Sequence, residues 1–205
     1  MLICILIGSP DEAVRQLAAV EAIKLIPKKW SDSFAKEIHL ELLKSTVGEP
    51  NPKVRHASAR LIAAIARQDL PAGKWPELPV FCQNATSSPN AQTRAIGLFV
   101  IHSLFEADPE FLQSRSHELL QLFSVTIQDF ESREVRQLTL RCLGALSIGI
   151  SRMDKEMINT FRGLFPAMLI VLRQAIAADN ETDARDAVDV FEDLLFGVFF
   201  ILDLG

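Results

Sequence analysis

The stretch NPKVRHASARLIAAIARQDL, residues 51–70, decides the fold. Its apolar residues recur at intervals of three and four, which places them on one face of an α-helix. Asn51 is a good N-cap residue, because its side chain can accept a backbone N–H at the start of a helix. Arg55, in contrast, puts a cation in the first turn, near the positive end of the helix dipole, where it is mildly unfavourable. We therefore asked whether this arginine recurs.

The arginine recurs along the chain at intervals of 40, 39, 42 and 49 residues. The series consists of Arg15, Arg55, Arg94, Arg136 and Arg185. Four residues before each arginine stand Asp11, Asn51, Asn90, Ser132 and Glu181, of which the first four are good N-caps. An apolar helical pattern follows each arginine. A period of about forty residues is typical of HEAT or armadillo repeats.

Another apolar helix, the first of each pair, precedes most of these turns. The predicted segments are 33–47, 110–128 and 157–177. Pro79 and Pro166 fall inside predicted first helices, where proline removes a hydrogen bond and bends the helix. Alternating strand patterns bounded by turn residues are absent. The sequence predicts an all-α fold: an α-solenoid of about five HEAT repeats, made of antiparallel helix pairs in a right-handed superhelix.

Stacked repeats give a reason for an arginine that is slightly costly in isolation. Its guanidinium fork could reach a carboxylate or a carbonyl of the neighbouring repeat and tie the stack together. Repeats of this kind contact mainly their neighbours. We therefore interpret the five arginines as a structural ladder and not as ligand-binding residues.

Composition and charge exclude several classes of function. The chain of 205 residues is 49% hydrophobic and 23% charged, with a net charge of −5. This composition suits a folded protein, and the acidic balance predicts no direct nucleic-acid binding. The first residues, MLICILIG, lack a basic segment and a cleavage site, so we interpret them as part of a buried helix. The apolar tail LLFGVFFILDLG, residues 194–205, is too short for a membrane span, which needs roughly 20 residues, and predicts no membrane insertion.

Motifs of enzymes are missing. The sequence contains no HExxH, GxSxG, P-loop or GxGxxG pattern. The sequence shows no pattern of metal-binding or catalytic partners around its four histidines, which are His39, His56, His102 and His117. We predict a protein that is not an enzyme, with no catalytic residue, no cofactor and no metal site.

Three groups of charged residues are candidates for partner binding. The first group is Glu21, Lys24 and Lys28, polar breaks in the apolar run that ends at Trp30. The second is Arg60, Arg67 and Asp69, which lie off the apolar stripe of the second repeat. The third is Asp186, Asp189 and Asp193, an acidic stripe at helical spacing that would suit a basic partner. The alternative for each group is a solvated helix face, with Trp30 covering the core between repeats.

Three blocks of sequence resemble the amino-terminal region of the importin-beta (karyopherin-beta) superfamily. They are RQLAAVEAIKLIPKKW at 15–30, VRHASARLIAAIARQDLPAGKWPELPVF at 54–81 and IQDFESREVRQLTLRCLGAL at 127–146. The chain is most similar to the subgroup that imports ribosomal proteins and histones. It departs from the family by lacking the helix expected before residue 2 and by one leucine fewer in its WPEL block, and the similarity stops near Leu195. The first repeat thus looks short, and the chain looks like part of a longer array.

The resemblance implies a nuclear transport receptor, or its amino-terminal fragment. In that family the second helices of the first repeats bind Ran-GTP, FG nucleoporins touch the convex side, and cargo is basic protein such as ribosomal proteins or histones. The expected location is cytoplasm and nucleus, with the nuclear envelope and pore. It also implies three parts: an amino-terminal-type region at 1–47, HEAT repeats at 48–196 and an apolar tail at 197–205. A generic HEAT scaffold for complex assembly is the alternative, although it does not predict the 15–30 and WPEL blocks.

Overall fold

Helices form all of the regular secondary structure in the described parts of the chain. The computed structural model describes residues 1–30, 35–107, 114–148, 150, 154–178 and 181–198. The chain divides into two compact units, Met1–Ala107 and Asp108–Gly205. Each unit is built from pairs of helices joined by short turns, and short turns make neighbouring helices antiparallel.

Unit 1, Met1–Ala107, contains three helix pairs. Its helices are α1 (Leu2–Gly8), α2 (Glu12–Lys29), α3 (Ala35–Gly48), α4 (Pro52–Asp69), α5 (Glu77–Thr86) and α6 (Ala91–Ala107). The second helix of each pair packs on the next, α2 against α4 and α4 against α6. The core of the unit includes Leu61, Ile62 and Ile65 of α4, which are fully buried.

Unit 2 contains two further pairs. Its helices are α7 (Ser116–Thr126), α8 (Arg133–Ile148), α9 (Lys155–Ala177) and α10 (Glu181–Val198). The second helices α8 and α10 again pack together, and α7 contacts α9. The core is formed by Phe123, Leu140 and Phe161, none of which is exposed.

The five helix pairs within the described residues confirm the prediction of an all-α, HEAT-type fold. The predicted helices at 33–47 and 110–128 correspond to α3 and α7, although residues 33–34 and 110–113 lie outside the described part of the chain. The third, 157–177, corresponds to α9. The handedness of the superhelix and the three-part division at residues 47 and 196 stay predictions.

The sequence predicts a helix bend at Pro79 and at Pro166, and the structure differs at Pro79. Pro79 lies in the first turn of α5, where a missing N–H costs nothing because that N–H has no partner within the helix. The predicted bend at this residue is therefore wrong. Pro166 is inside α9 as expected, and Pro27, which sequence reasoning passed over, is inside α2.

The predicted N-caps explain where the second helices begin. Asp11 Oδ1 accepts the N–H groups of Ala13 and Val14, at 2.8 and 3.2 Å. The equivalent caps are Asn51 on α4, Asn90 on α6 and Ser132 on α8, each accepting a backbone N–H of the first turn. The cap of α10 would fall at residues 179–180, outside the described part of the chain.

Each of the first three arginines binds the turn that precedes its own helix. Arg55 Nη1 donates to the carbonyls of Glu49 and Pro50, at 2.9 and 2.8 Å. Arg15 makes the same pair of bonds to residues 9 and 10, and Arg94 to residues 88 and 89. The cation thus lies against carbonyls beyond the end of the preceding helix, the negative end of that helix dipole, which favours it. We call this contact the arginine clamp.

Contact with the next repeat, which the sequence led us to expect, is present at two positions. Arg15 forms a bidentate pair with Glu49, with N–O distances of 2.8 and 2.9 Å. Burial works to raise the pKa of Glu49, but the hydrogen bonds from Arg15 and from the Asn51 N–H outweigh it and lower this pKa. Arg136 donates through Nε to Gln174 of α9 at 3.1 Å, and its Nη1 bonds the Asp129 carbonyl.

Arg185 departs from the series. Its guanidinium pairs with Glu181 of the same helix at 3.4 Å, and both side chains are largely exposed. The turn that it would clamp, residues 179–180, is outside the described residues. The contacts described for Arg185 are therefore those of an ordinary surface pair.

Helix α9 has the length and the apolar composition that a membrane span requires. Its buried residues, however, repeat at helical spacing and include Phe161, Leu164 and Met168. The helix contacts α7, α8 and α10 along that face. The core helix of a globular unit can have the same length and apolar composition as a membrane span, and α9 packs in that way.

We expect Arg55→Met to lower the free energy of unfolding by about 1–3 kcal/mol, because two charge-assisted bonds to turn carbonyls are lost. Arg185→Met is the matched control, and its effect should stay within about 0.5 kcal/mol. Urea unfolding followed by circular dichroism measures both. Equal losses in the two variants would contradict the role of the clamp.

Candidate functional site

A groove runs across the second helices of unit 1. It has a volume of about 490 Å³ and is open to solvent. Helices α2, α4 and α6 each contribute side chains to it, since these three helices pack side by side. The lining residues are Ile23, Pro27, Arg60, Ala63, Ala64, Arg67, Gln68, Ser103, Glu106 and Ala107.

Arg60 and Arg67 are the cations of this groove. They are two turns apart on α4, which separates them by about 10.5 Å along the helix axis at 1.5 Å per residue. Both side chains are exposed. Among the described residues neither has a carboxylate within ion-pair distance. The groove therefore presents two guanidinium groups to solvent.

Ala63 and Ala64 lie between the two arginines and leave the groove with a flat floor. Ile23 and Pro27 of α2 form its apolar wall. Because Pro27 has no N–H, the carbonyl of Ile23 lacks the donor that a helix normally supplies four residues later.

The polar residues on the far side of the groove come from α4 and α6. Gln68 Nε2 donates to the carbonyl of Ile26 at 3.2 Å and so ties α4 to α2. Ser103 is buried, and its Oγ has no hydrogen-bond partner among the described residues. Glu106 lies 3.9 Å from His102 on the same helix and is half exposed.

The first predicted group lies next to the groove and does not line it. Lys24 and Glu21 form an exposed ion pair at 2.6 Å, one turn apart on α2. Lys28 is exposed near the end of the same helix. Of the residues proposed on α2 and α4, the structure brings only Arg60 and Arg67 together in the groove.

Asp69 is not a surface residue, and its predicted exposure is wrong. Its side chain is 3% exposed. Both carboxylate oxygens accept the indole N–H of Trp30, at 3.0 and 3.1 Å, and Oδ2 lies 2.8 Å from His39 Nε2. A carboxylate that is buried and fully engaged in this way organises the interior and cannot meet a partner. The sequence offered no signal, since Asp69 falls off the apolar stripe.

His39 is sandwiched between the two tryptophans of the chain. Its ring stacks on Trp75 with centroids 3.9 Å apart and on Trp30 at 5.9 Å. Gly73, with φ of 67°, makes the turn that brings Trp75 back over α3 and α4. We call Trp30, His39, Asp69 and Trp75 the tryptophan cluster. It explains why the 15–30 and WPEL blocks each carry a tryptophan: both are structural.

Burial is the largest influence on His39 and lowers its pKa, because the imidazolium is desolvated. Hydrogen bonding and charge attraction from Asp69, with a smaller attraction from Glu77, oppose this shift without reversing it. The neutral imidazole is therefore the form that the folded cluster prefers.

One residue of the acidic stripe of α10, Asp186, is paired within unit 2, and so is the nearby Asp183. Asp186 pairs with Arg141, and Asp183 pairs with Arg133 at 2.8 Å. Both arginines are on α8. Asp189 is exposed. The side chain of Asp193 lies outside the described residues. The two pairs join neighbouring helices, which accounts for at least part of a stripe that looked like a docking surface.

The groove residues that sequence reasoning missed follow the repeat spacing. Pro27, Arg67 and Glu106 are separated by 40 and 39 residues, the intervals of the first three arginines of the series. Lys24, Ala64 and Ser103 have the same spacing. The residues one repeat before and one repeat after Arg67 are Pro27 and Glu106, so the repeat spacing alone would have located both in the groove. Among the described residues no three metal-binding side chains come together.

These features define a helical-repeat protein with a groove across the second helices of unit 1. The family model described as IPO5-like, TPR repeats matches residues 50–196, and the chain belongs to this family. Its first intervals of 39–42 residues are those of HEAT repeats, longer than the 34 residues of a TPR. The family confirms the resemblance to the amino-terminal region of the importin-beta superfamily.

Individual proteins similar to this chain agree with the family assignment. The probable importin subunit beta-4 of Schizosaccharomyces pombe is 38% identical over 188 residues, which cover 89% of this chain and 17% of the relative. Among solved structures, Kap121p matches with a TM-score of 0.73 at 20% identity, over 95% of this chain and 18% of that one. Yeast importin-beta (Kap95p) also matches at 0.73 and 23% identity, over 98% and 25%. The chain thus spans less than a fifth of the curated relative and about a quarter or less of the two solved chains.

The pKa of His39 gives a pH prediction. A histidine with a lowered pKa in the folded state binds fewer protons than in the unfolded chain, so stability is complete above pH 6.5 and falls as pH drops below it. We expect the wild type to lose stability between pH 7.5 and 5.5 more steeply than His39→Gln. Urea unfolding at the two pH values measures this.

His117→Gln is the control for that experiment, because His117 is 60% exposed and lies in unit 2. Because His39 is intact in this variant, its stability should still fall more steeply with falling pH than that of His39→Gln. A His39→Gln variant as pH-sensitive as the wild type would refute the assignment to His39.

Proposed function

We propose that the chain is part of a nuclear transport receptor that binds Ran in its GTP form through α2, α4 and α6. The observation that carries the proposal is a groove on α2, α4 and α6 whose two arginines form no ion pair with the described residues, in a chain that belongs to the IPO5-like family. A generic scaffold for complex assembly, the alternative, predicts the arginine clamps equally but does not predict the 15–30 and WPEL blocks.

The proposed binding surface comprises the groove and the exposed charges beside it. Arg60 and Arg67 lie inside the groove, and Glu21, Lys24 and Lys28 flank it on α2. Asp69 is withdrawn from the surface because it is buried. The role of this surface is recognition without catalysis.

The proposed partners beyond Ran are FG nucleoporins and basic cargo such as ribosomal proteins or histones. Structures of similar chains support partner binding in general: Kap121p has been solved bound to Nup53p and bound to Pho4p, and Kap95 in a complex with Nup1. Movement between cytoplasm and nucleus, through the nuclear pore, follows from the same role. Residues 1–47 would form the amino-terminal-type region, 48–196 the repeats and 197–205 the tail.

The proposed mechanism is coupled binding. If Ran-GTP and cargo favour different arrangements of the repeats, each lowers the affinity for the other by the same factor. The clamps and ion pairs between helices fix the structure of each repeat, so that such a change would occur by small shifts between packed helices.

Titration of the chain with Ran-GTP and, separately, Ran-GDP tests this proposal. We expect binding of the GTP form alone, and we expect the double variant Arg60→Gln, Arg67→Gln to weaken it about tenfold or more, through the loss of charged contacts. Arg173→Gln, an exposed arginine of unit 2, is the control for net charge and should bind like the wild type.

Equal affinity for both nucleotide forms would contradict the transport role. Absence of binding by a chain whose circular dichroism shows the expected helix content would contradict it as well. Loss of binding in Arg173→Gln would show that overall charge, and not the groove, decides affinity.

A further inference from the structure

The groove of unit 1 contains two cations that form no ion pair within the described part of the chain. Arg60 and Arg67 are without an ion pair among the described residues, while Arg15, Arg133 and Arg141 each pair with a carboxylate of a neighbouring repeat. Glu106 is the carboxylate among the lining residues, and it faces His102. The groove is therefore complementary to a ligand that carries negative charge.

Ser103 supplies independent evidence for a ligand. It lines the groove, is 2% exposed, and its Oγ has no hydrogen-bond partner among the described residues. Other buried hydroxyls bond a carbonyl, as Thr46, Thr86 and Ser147 do at 2.6–2.8 Å. A buried hydroxyl left without a partner is destabilising by roughly 1–3 kcal/mol. A polar ligand atom in the groove would remove that cost.

The remaining surface suits a peptide. The alanines between the arginines leave room for a backbone to approach α4, and Ile23 with Pro27 offers an apolar wall. Arg60 and Arg67 leave the helix about 10.5 Å apart along its axis, which suits an extended ligand with two separated charges.

We infer that this groove binds an acidic peptide segment in the polyproline II conformation, with two carboxylates three residues apart that pair with Arg60 and Arg67. In that conformation residues three apart lie on the same side, about 9.3 Å from one another. This length is close to the separation of the arginines, and their flexible side chains cover the difference. Ser103 then bonds the peptide backbone between the two carboxylates.

The acidic segment is a ligand distinct from the GTPase proposed above. Because Arg60 and Arg67 belong to both proposed surfaces, the two ligands would exclude one another. The peptide test contains no GTPase, and so either proposal can fail while the other stands.

The probe is a fluorescein-labelled hexapeptide with the sequence GDPPDG, titrated with the full chain and followed by fluorescence anisotropy. We expect saturable binding that weakens at least tenfold for the neutral peptide GNPPNG. Binding should also weaken at least tenfold in Arg60→Gln and in Arg67→Gln, and about threefold in Ser103→Ala. Raising the salt concentration should weaken it further, because exposed charges are screened.

Two controls separate the groove from general electrostatics. Arg173→Gln removes the same charge from unit 2 and should bind like the wild type. The peptide GPDDPG has the same composition but adjacent aspartates, and should bind at least fivefold more weakly. Circular dichroism establishes that each variant keeps its helix content.

Several results would overturn the inference. These are absence of binding by GDPPDG, equal binding of GNPPNG, and equal weakening in Arg67→Gln and Arg173→Gln. Equal affinity for GPDDPG would refute the two-carboxylate spacing. Unchanged binding in Ser103→Ala would remove the hydroxyl from the site.

Discussion

The contact on which the repeats depend is the bond between a first-turn arginine and the turn behind it. In isolation such an arginine opposes the dipole of its own helix. In the structure Nη1 of Arg15, Arg55 and Arg94 instead reaches two carbonyls that follow the preceding helix, five and six residues back. One side chain thereby fixes the turn within a repeat, and at Arg15 the rest of its fork pairs with Glu49 of the next. The clamp sets how the two helices of a pair meet.

The tryptophan cluster holds the other end of the same helices. Trp30 follows the last turn of α2, and Asp69 is the last residue of α4, so their hydrogen bond joins the carboxyl ends of these two helices. The clamps are at the opposite, amino-terminal ends. Helices α2 and α4, which line the groove, are thus held at both of their ends. Arg67 lies two residues before Asp69 and so is close to the contact that holds the carboxyl ends. The position of this arginine is set by residues that never touch a ligand.

Periodic features were predictable and singular ones were not. The arginine series and its N-caps repeat at fixed intervals, so five helix pairs and the starts of most second helices could be read from the sequence. Asp69 occurs once, and its burial follows from partners 30 and 39 residues away that no local pattern reveals. The same applies to Asp186, whose partner Arg141 lies on the neighbouring helix. Ser103 could have been located through the repeat spacing, but its missing hydrogen bond is visible only in three dimensions.

The tryptophan cluster also determines what can be observed in solution. The chain has two tryptophans and no tyrosine, and both tryptophans are in the cluster of unit 1. Its intrinsic fluorescence is consequently a local reporter, because both rings lie in Met1–Ala107 and sense the interior of that unit. An unfolding curve recorded by emission would describe the first unit alone, while ellipticity would sum both. Any difference between the two curves would measure directly how independently the units unfold.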